Sequence, residues 1–313
     1  MMNSFKKPLL SICIPTDGNV KWVTNTLNNI YNQDCNLDLF EVIITDNGKS
    51  NDLENIINNS NFPKNLFYYK TKEKGFLNLV TALKYGNGLY CKMLNHRSVL
   101  LQGVVKKWTE IINKYQDEKP TIYFSDNSLG NFSYKECISF ENFVQEMSYW
   151  SSWSAGIGIW DVDKPKLDSI KYNYMFPNTS ILFEVRQNGK YIIWNEKYQE
   201  MQDETGKGGY NIYKTFAVDY LDIINELRLK NRISITTFTQ IKNDLYLFIQ
   251  QWYDILSFNK NKYTFDTSDM EIYLNVYYTK TDIKNLKTRY IKKTELFIKS
   301  SLIKIKELVK NKY

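Results

Sequence analysis

The chain has 313 residues, 43% hydrophobic and 24% charged, long enough to bury a large core as one domain or two. Six prolines and thirteen glycines are too few for long disordered linkers. The net charge of +7 favours anionic partners such as nucleotides, phospholipid headgroups or nucleic acid, without choosing among them.

In chain order, residues 9–16 are an apolar run stopped by Pro15, which reads as a buried strand, and Asp17-Gly18-Asn19 is the turn after it. Val20, Val23, Leu27, Ile30 and Tyr31 then recur at helical spacing. Residues 40–45 predict a second strand, ending in Asp46-Asn47-Gly48. A short helix at 52–58, a strand at 65–69, a helix at 74–84 opening around Gly75, and a strand at 89–94 follow. Strands alternating with helices in this way predict an α/β fold with a doubly wound sheet. Further on, 104–115 reads as a helix, 121–124 as a strand, 176–188 as a helix and 191–194 as a strand. Gly206-Lys207-Gly208-Gly209 reads as a flexible loop, and beyond it helical windows dominate and no glycine occurs. The expected organisation is an α/β domain over 1–210, with halves 8–104 and 105–210, and a helical C-terminal subdomain over 211–313.

The stretch 90–103 organises the rest. An apolar lead-in and an apolar exit flank the polar triplet Asn95, His96 and Arg97, which places the triplet at the C-terminal end of a buried strand. Open α/β sheets bind ligands in the crevice outside those ends. Asp17 and Asp46 fall on the same edge, where a carboxylate accepts hydrogen bonds from a base or a ribose; the alternative is that both are turn residues or helix caps.

Leu10-Ser11-Ile12-Cys13-Ile14-Pro15-Thr16, then Glu41 to Gly48, then Gly75, Asn78, Ala82, Gly86, Gly88 and Tyr90 stand in an order that resembles the family-two glycosyltransferases of the GT-A fold, in particular the bacterial surface-polysaccharide (O-antigen and capsule) type. The likeness is best over 8–104 and weaker from 150 to 220. It implies a mixed, Rossmann-like sheet and transfer of a sugar, with inversion, from a nucleotide-diphosphate donor, a UDP-sugar first, to a glycan or lipid-linked acceptor. Pro15, Thr16, Asp17, Asp46, Asn47, Gly75 and Asn78 are the implied nucleotide-binding residues. The rival reading is a catalytically silent GT-A domain that binds nucleotide or glycan.

The chain departs from the family at the metal motif. Where relatives carry Asp-x-Asp, this sequence has Asn95-His96-Arg97. A divalent cation such as Mn or Mg wants anionic oxygens, and a guanidinium is the opposite charge. The expectation is that Asn95, His96 and Arg97, with Lys207 from the glycine loop, hold the donor diphosphate, and that no metal is required. The family's general base falls near Asn178-Thr179-Ser180, which holds no acid. Asp161, directly after a strand, and His96 are the base candidates, with Asp163, Glu184, Asp203 and Glu204 as alternatives. Trp150 and Trp153, interspersed with serines, are read as an acceptor wall.

Residues 283–313 carry many lysines on one face and Ile291, Ile298, Leu302, Ile305 and Val309 at near-helical spacing. Such a basic amphipathic helix fits an anionic membrane surface, or packs its stripe on its own domain. Aromatics are not interleaved with the basic residues, so nucleic acid is not expected. Cys13, Cys35, Cys91 and Cys137 form no CxxC pair and read as free thiols of a reducing compartment. There is no signal-peptide core and no long apolar run, so the expectation is a cytoplasmic protein, peripheral on the inner membrane face if the tail binds there.

Overall fold

The computed structural model describes residues 7–186, 188–202, 205–258 and 262–288. The chain divides into two compact units: Met1–Glu204 with Ile223–Ile241, and Thr205–Asp222 with Lys242–Tyr313. The second unit therefore begins a few residues before the boundary expected at 210, and residues 223–241, expected in the helical subdomain, belong to the first unit.

The first unit opens with β1 (Leu10–Thr16), α1 (Val20–Tyr31), β2 (Phe40–Asp46), α2 (Asp52–Asn58), β3 (Leu66–Lys70), α3 (Asn78–Tyr85) and β4 (Tyr90–Met93). The short strand β5 (Ser98–Leu100) and α4 (Val104–Tyr115) follow, then β6 (Thr121–Phe124), β7 (Tyr134–Cys137), α5 (Phe140–Met147) and β8 (Gly158–Trp160). The rest of the α/β part is α6 (Pro177–Glu184), β9 (Tyr191–Trp194) and β10 (Gln199–Met201). The main sheet has the order β3-β2-β1-β4-β8. β1 is parallel to β2 and β4, β2 is parallel to β3, and β8 alone runs antiparallel, against β4. The sheet is thus mixed, and its winding reverses between β1 and β4.

Buried parallel strands need apolar residues on both faces. Leu10, Ile12, Ile14, Val42 and Ile44 enter one core with Val23, Leu27 and Ile30 of α1 and Val105, Trp108 and Ile112 of α4. Cys13 and Ile43, one residue out of phase, are equally buried and face the other side, where Leu79 and Leu83 of α3 are buried. Amphipathic helices on two faces are what hold such a sheet. A second sheet, β6-β9-β7, and the pair β10-β5 complete this part.

In the second unit, β11 (Gly208–Asn211) pairs in parallel with β12 (Thr264–Asp266), with α7 (Ile212–Lys214) and α10 (Met270–Leu274); along the chain between them, α8 (Leu221–Leu229) falls mostly in the first unit and α9 (Ile235–Phe258) runs from the first into the second. The loop expected at Gly206–Gly209 is therefore half strand. Gly208 sits where an added Cβ would lie 2.4 Å from the backbone of Thr264 and Phe265, so its glycine is a close-packing requirement rather than a flexible link. Tyr263, Phe265 and Trp252 pack edge to face beside this pair. Ile283 and Leu286, at the start of the basic segment, are buried here, and the stripe expected from Ile291 to Val309 is beyond them. The tail from 289 onward lies outside the described residues. No described helix is long and apolar enough to cross a membrane.

Candidate functional site

The reversal of winding puts the C-terminal ends of β1, β2 and β4 side by side. Leu94 N donates to Cys13 O at 2.8 Å, and Asn47 N to Thr16 O at 3.0 Å, so the three loops leave the sheet in register. Gly48 is pinned against the first loop: a Cβ there would lie 2.1 Å from the Asp17 carbonyl oxygen.

At the β4 end, Asn95 Oδ1 accepts from Arg97 N at 2.9 Å and Asn95 O from Ser98 N at 2.9 Å, a tight polar turn that lifts His96 and Arg97 out of the strand. The turn is clamped from two sides. Thr26 Oγ1 donates to His96 O and Ser98 O at 2.8 and 2.9 Å, and Gln202 N donates to Arg97 O at 2.9 Å. His96 Nδ1 lies 2.8 Å from Thr16 Oγ1, which also accepts from Gly18 N at 3.2 Å. The Thr16 hydroxyl has one proton and two lone pairs, so this bond holds the ring in place whichever atom donates. Burial pushes the His96 pKa down to about 4; the Asp17 carboxylate, 3.7 Å away, pulls it up, and the Arg97 charge pushes it down further. The Arg97 Cζ lies 3.6 Å from the centroid of the Trp22 ring, and the His96 ring lies 5.3 Å from it.

Several expected nucleotide contacts have other roles. Asp46 is at the end of β2 as expected but fully buried: Oδ1 accepts from Gly48 N at 2.7 Å, and Oδ2 from Tyr68 Oη at 2.7 Å and Lys70 Nζ at 3.1 Å. Its carboxylate is bonded within the wall of the crevice. Asn78, 2% exposed, is a latch: Nδ2 donates to Thr45 O at 2.7 Å and Thr16 O at 3.3 Å, and Oδ1 accepts from Thr71 Oγ1 at 2.9 Å. It ties β1 to β2 and is not an exposed contact. Thr16 is buried by the His96 and Asn47 bonds, and Pro15 ends the strand beside Thr45. Asp17, with a side chain 71% exposed, and the half-buried Asn47 remain at the open edge. Asn47 Nδ2 bridges to Glu73 O and to the carbonyl of exposed Gly75 at 2.9 and 3.2 Å.

Asp161 is a correction. β8 runs antiparallel, so the residue after it lands at the start of β4, not its end: Asp161 N donates to Leu89 O at 2.8 Å. Its carboxylate pairs with Lys7 at 2.5 Å, on the sheet edge opposite His96 and Arg97. Asp163 and Glu184 line a neighbouring groove of about 550 Å³. Asp163 is spent on Arg186 and Lys166 at 2.8 and 3.2 Å, and Glu184 on Arg232 at 2.9 Å. Asp203 and Glu204 lie outside the described residues. Asn178 and Thr179 are buried and donate to Ser151 O at 2.8 and 2.9 Å. Trp153 is half-buried, packed against the main core and stacked on Tyr198 at 6.2 Å; Trp150, stacked on Tyr149, is half-buried too. Lys207 belongs to the second unit, where its ammonium lies 5.6 Å from the Trp252 ring and its carbonyl accepts from Thr264 N at 2.9 Å.

The donor set around Arg97 does not fit a divalent cation. Asn95 Oδ1 is taken by a backbone amide, His96 Nδ1 by Thr16, the carboxylate neighbour of His96 is Asp17 at 3.7 Å, and the adjacent Arg97 brings positive charge. Among the described residues no three His, Cys, Asp or Glu side chains come together as a metal site. Sequence reasoning missed Trp22, Tyr68, Lys70 and Gln202. Trp22 alone carried a signal: it stands off the buried stripe of α1.

No protein-family model matches the chain. It is 31% identical over 126 residues to the abequosyltransferase RfbV of Salmonella typhimurium, a match covering 38% of this chain. The chain spans only 35% of that relative's length. Among solved structures it is similar to S. aureus TarS 1-349 in complex with UDP-GlcNAc, with a TM-score of 0.57 and 15% identity over 80% of this chain and 73% of that one. TarS 1-349 without that ligand gives a TM-score of 0.53 at 14% identity, over 80% and 72%. The chain has the GT-A-like fold of these glycosyltransferases.

Proposed function

We propose that the chain transfers a sugar from a nucleoside-diphosphate donor to a glycan or lipid-linked acceptor in the assembly of a bacterial surface polysaccharide. The observation that carries this is the clamped turn Asn95-His96-Arg97 at the reversal of sheet winding, facing the Asp17 and Asn47 loops, where α/β sheets hold nucleotides. The likeness to the abequosyltransferase supports sugar transfer, and the likeness to TarS bound to UDP-GlcNAc supports a UDP-sugar as the first donor to try.

In this reading an acceptor hydroxyl attacks the sugar's anomeric carbon, the bond from that carbon to the phosphate oxygen breaks, the hydroxyl proton passes to solvent water, and the leaving diphosphate collects negative charge. Arg97 supplies fixed positive charge and in-plane N–H donors to it, with no metal needed. Neutral His96 adds a donor without a second charge. Inversion follows from the family resemblance. Membrane association of the basic tail is part of the same proposal, since a lipid-linked acceptor sits at an anionic surface. The test is release of UDP from a panel of UDP-sugars with and without lipid-linked acceptor, in excess EDTA. Acceptor-dependent release supports transfer, and release that stops in EDTA removes the metal-free mechanism.

One observation favours a silent binding domain: the segment where the family keeps its base, Asn178 to Ser180, is buried and holds no acid. Nucleotide binding without turnover on every donor would establish that reading instead.

A further inference from the structure

Two short 3₁₀ turns, Ser148–Ser152 and Ser154–Gly156, lead into β8. Turns this short leave most of their carbonyls without a backbone partner. Here side chains of the core take them. The Tyr123 hydroxyl of β6 donates to Trp150 O and lies 3.3 Å from Trp153 O. Asn178 and Thr179 of α6 donate to Ser151 O at 2.8 and 2.9 Å. Lys92 Nζ of β4 and Tyr198 Oη donate to Ala155 O at 2.8 and 3.1 Å. Gly156 closes the run, because an added Cβ would lie 2.5 Å from the Tyr123 ring. Fixing an irregular run from inside removes its freedom before any partner arrives, which lowers the ordering cost of binding.

The pinned run lies on the ligand edge. β8 is antiparallel to β4, so the chain that enters β8 passes the C-terminal end of β4: Met93 N, two residues before Asn95, donates to Ile157 O at 3.0 Å. The half-buried side chains of the run are Trp150, Ser152, Trp153 and Ser154. The Trp150 ring is stacked on Tyr149, 5.5 Å and 22° apart, whereas Trp153 is packed against the main core. No residue from 148 to 156 is charged. An aromatic face takes the C–H face of a sugar ring, and serine hydroxyls beside it take sugar hydroxyls. An uncharged run suits a neutral sugar rather than a phosphate.

We propose that residues 150–155 are a pre-set platform for a neutral sugar ring of the acceptor glycan, with Trp150 as its stacking face and Tyr123 as the positioning residue that holds it. The proposal rests on reading the neighbouring crevice as a sugar-transfer site. Binding of the full chain to an array of bacterial surface glycans, with UDP calorimetry alongside, tests the two separately. Wild-type protein that binds array glycans but neither binds UDP nor turns over a UDP-sugar defeats the reading of the crevice and upholds the platform. Wild-type protein that binds no glycan on the array overturns the platform, whatever its UDP affinity. Trp150→Ala is expected to weaken glycan binding at least roughly tenfold, and Trp150→Phe to keep most of it because a flat ring remains. Tyr123→Phe keeps the buried ring, removes its bonds to the Trp150 and Trp153 carbonyls, and is expected to weaken glycan binding by roughly threefold to tenfold. UDP affinity should stay within about twofold of wild type in all three, as changes without shared partners act independently. Unchanged glycan binding in Trp150→Ala or in Tyr123→Phe, or equal loss of glycan and UDP binding, overturns the proposal. Should Trp150→Ala fail to fold, Trp150→Leu, apolar but without a flat face, takes its place.

Discussion

His96 is the single histidine of the chain, which makes its protonation directly measurable. Burial and the neighbouring Arg97 hold its pKa down at about 4, against the pull of Asp17. An NMR titration of its one imidazole should show no inflection near the ordinary value of about 6.5, and bound UDP, an anion beside the ring, should raise the midpoint. A midpoint of about 6.5 would mean an imidazole open to solvent, contrary to its burial here. The sign for stability follows: between about 4 and 6.5 the unfolded chain binds a proton that the folded one refuses, so this contribution is lost as pH falls through that window. At this scale the sequence was legible in part. It located Asn95, His96 and Arg97 because a polar triplet interrupts an apolar run. It did not show that Asp46 and Asn78 are internal, because a buried hydrogen-bond latch and an exposed ligand contact use the same residue types.

At the scale of elements, the parallel strands β1, β2 and β4 were readable as apolar runs, and α1 as a stripe. Strand direction was not. Nothing in Gly158-Ile159-Trp160 states that β8 runs against β4, and that one fact moves Asp161 from the ligand edge to the opposite one. Asp161→Asn is therefore expected to leave sugar transfer within about twofold of wild type, where loss of a general base typically costs 10²–10⁴-fold, about 3–5 kcal/mol. A loss of that size in a transfer assay would restore Asp161 to the site. Strands of three residues, β5, β10 and β12, are too short to show a period. β11 was hidden because Gly208 and Gly209 read as a loop.

Over the whole first unit, one buried charge ties the ligand edge to the core. Lys92 of β4 is fully buried, its ammonium 2.8 Å from Ala155 O and within 4.8 Å of the Trp108, Phe124 and Tyr198 rings. Burial pushes its pKa down to about 7, with Asp126 pulling back. An unfolded lysine keeps its proton to about 10.4, so between these values the unfolded chain binds the extra proton and stability rises with pH; it is lost as pH falls to about 7. Each unit of the difference is worth ~1.4 kcal/mol. Urea unfolding of Lys92→Met should show that slope abolished, while an unchanged slope would place the titrating group elsewhere. This burial was not legible beforehand, since a lysine inside an apolar run looks like a solvated edge.

In the proposed mechanism an organic cation does the work of a metal at the diphosphate. Calorimetry of UDP binding, with the protein in excess EDTA and with Arg97→Gln alongside, tests it most directly. Binding that persists in EDTA and falls at least roughly tenfold in Arg97→Gln is the predicted result. Binding that vanishes in EDTA, returns with manganese and is indifferent to Arg97 would contradict it.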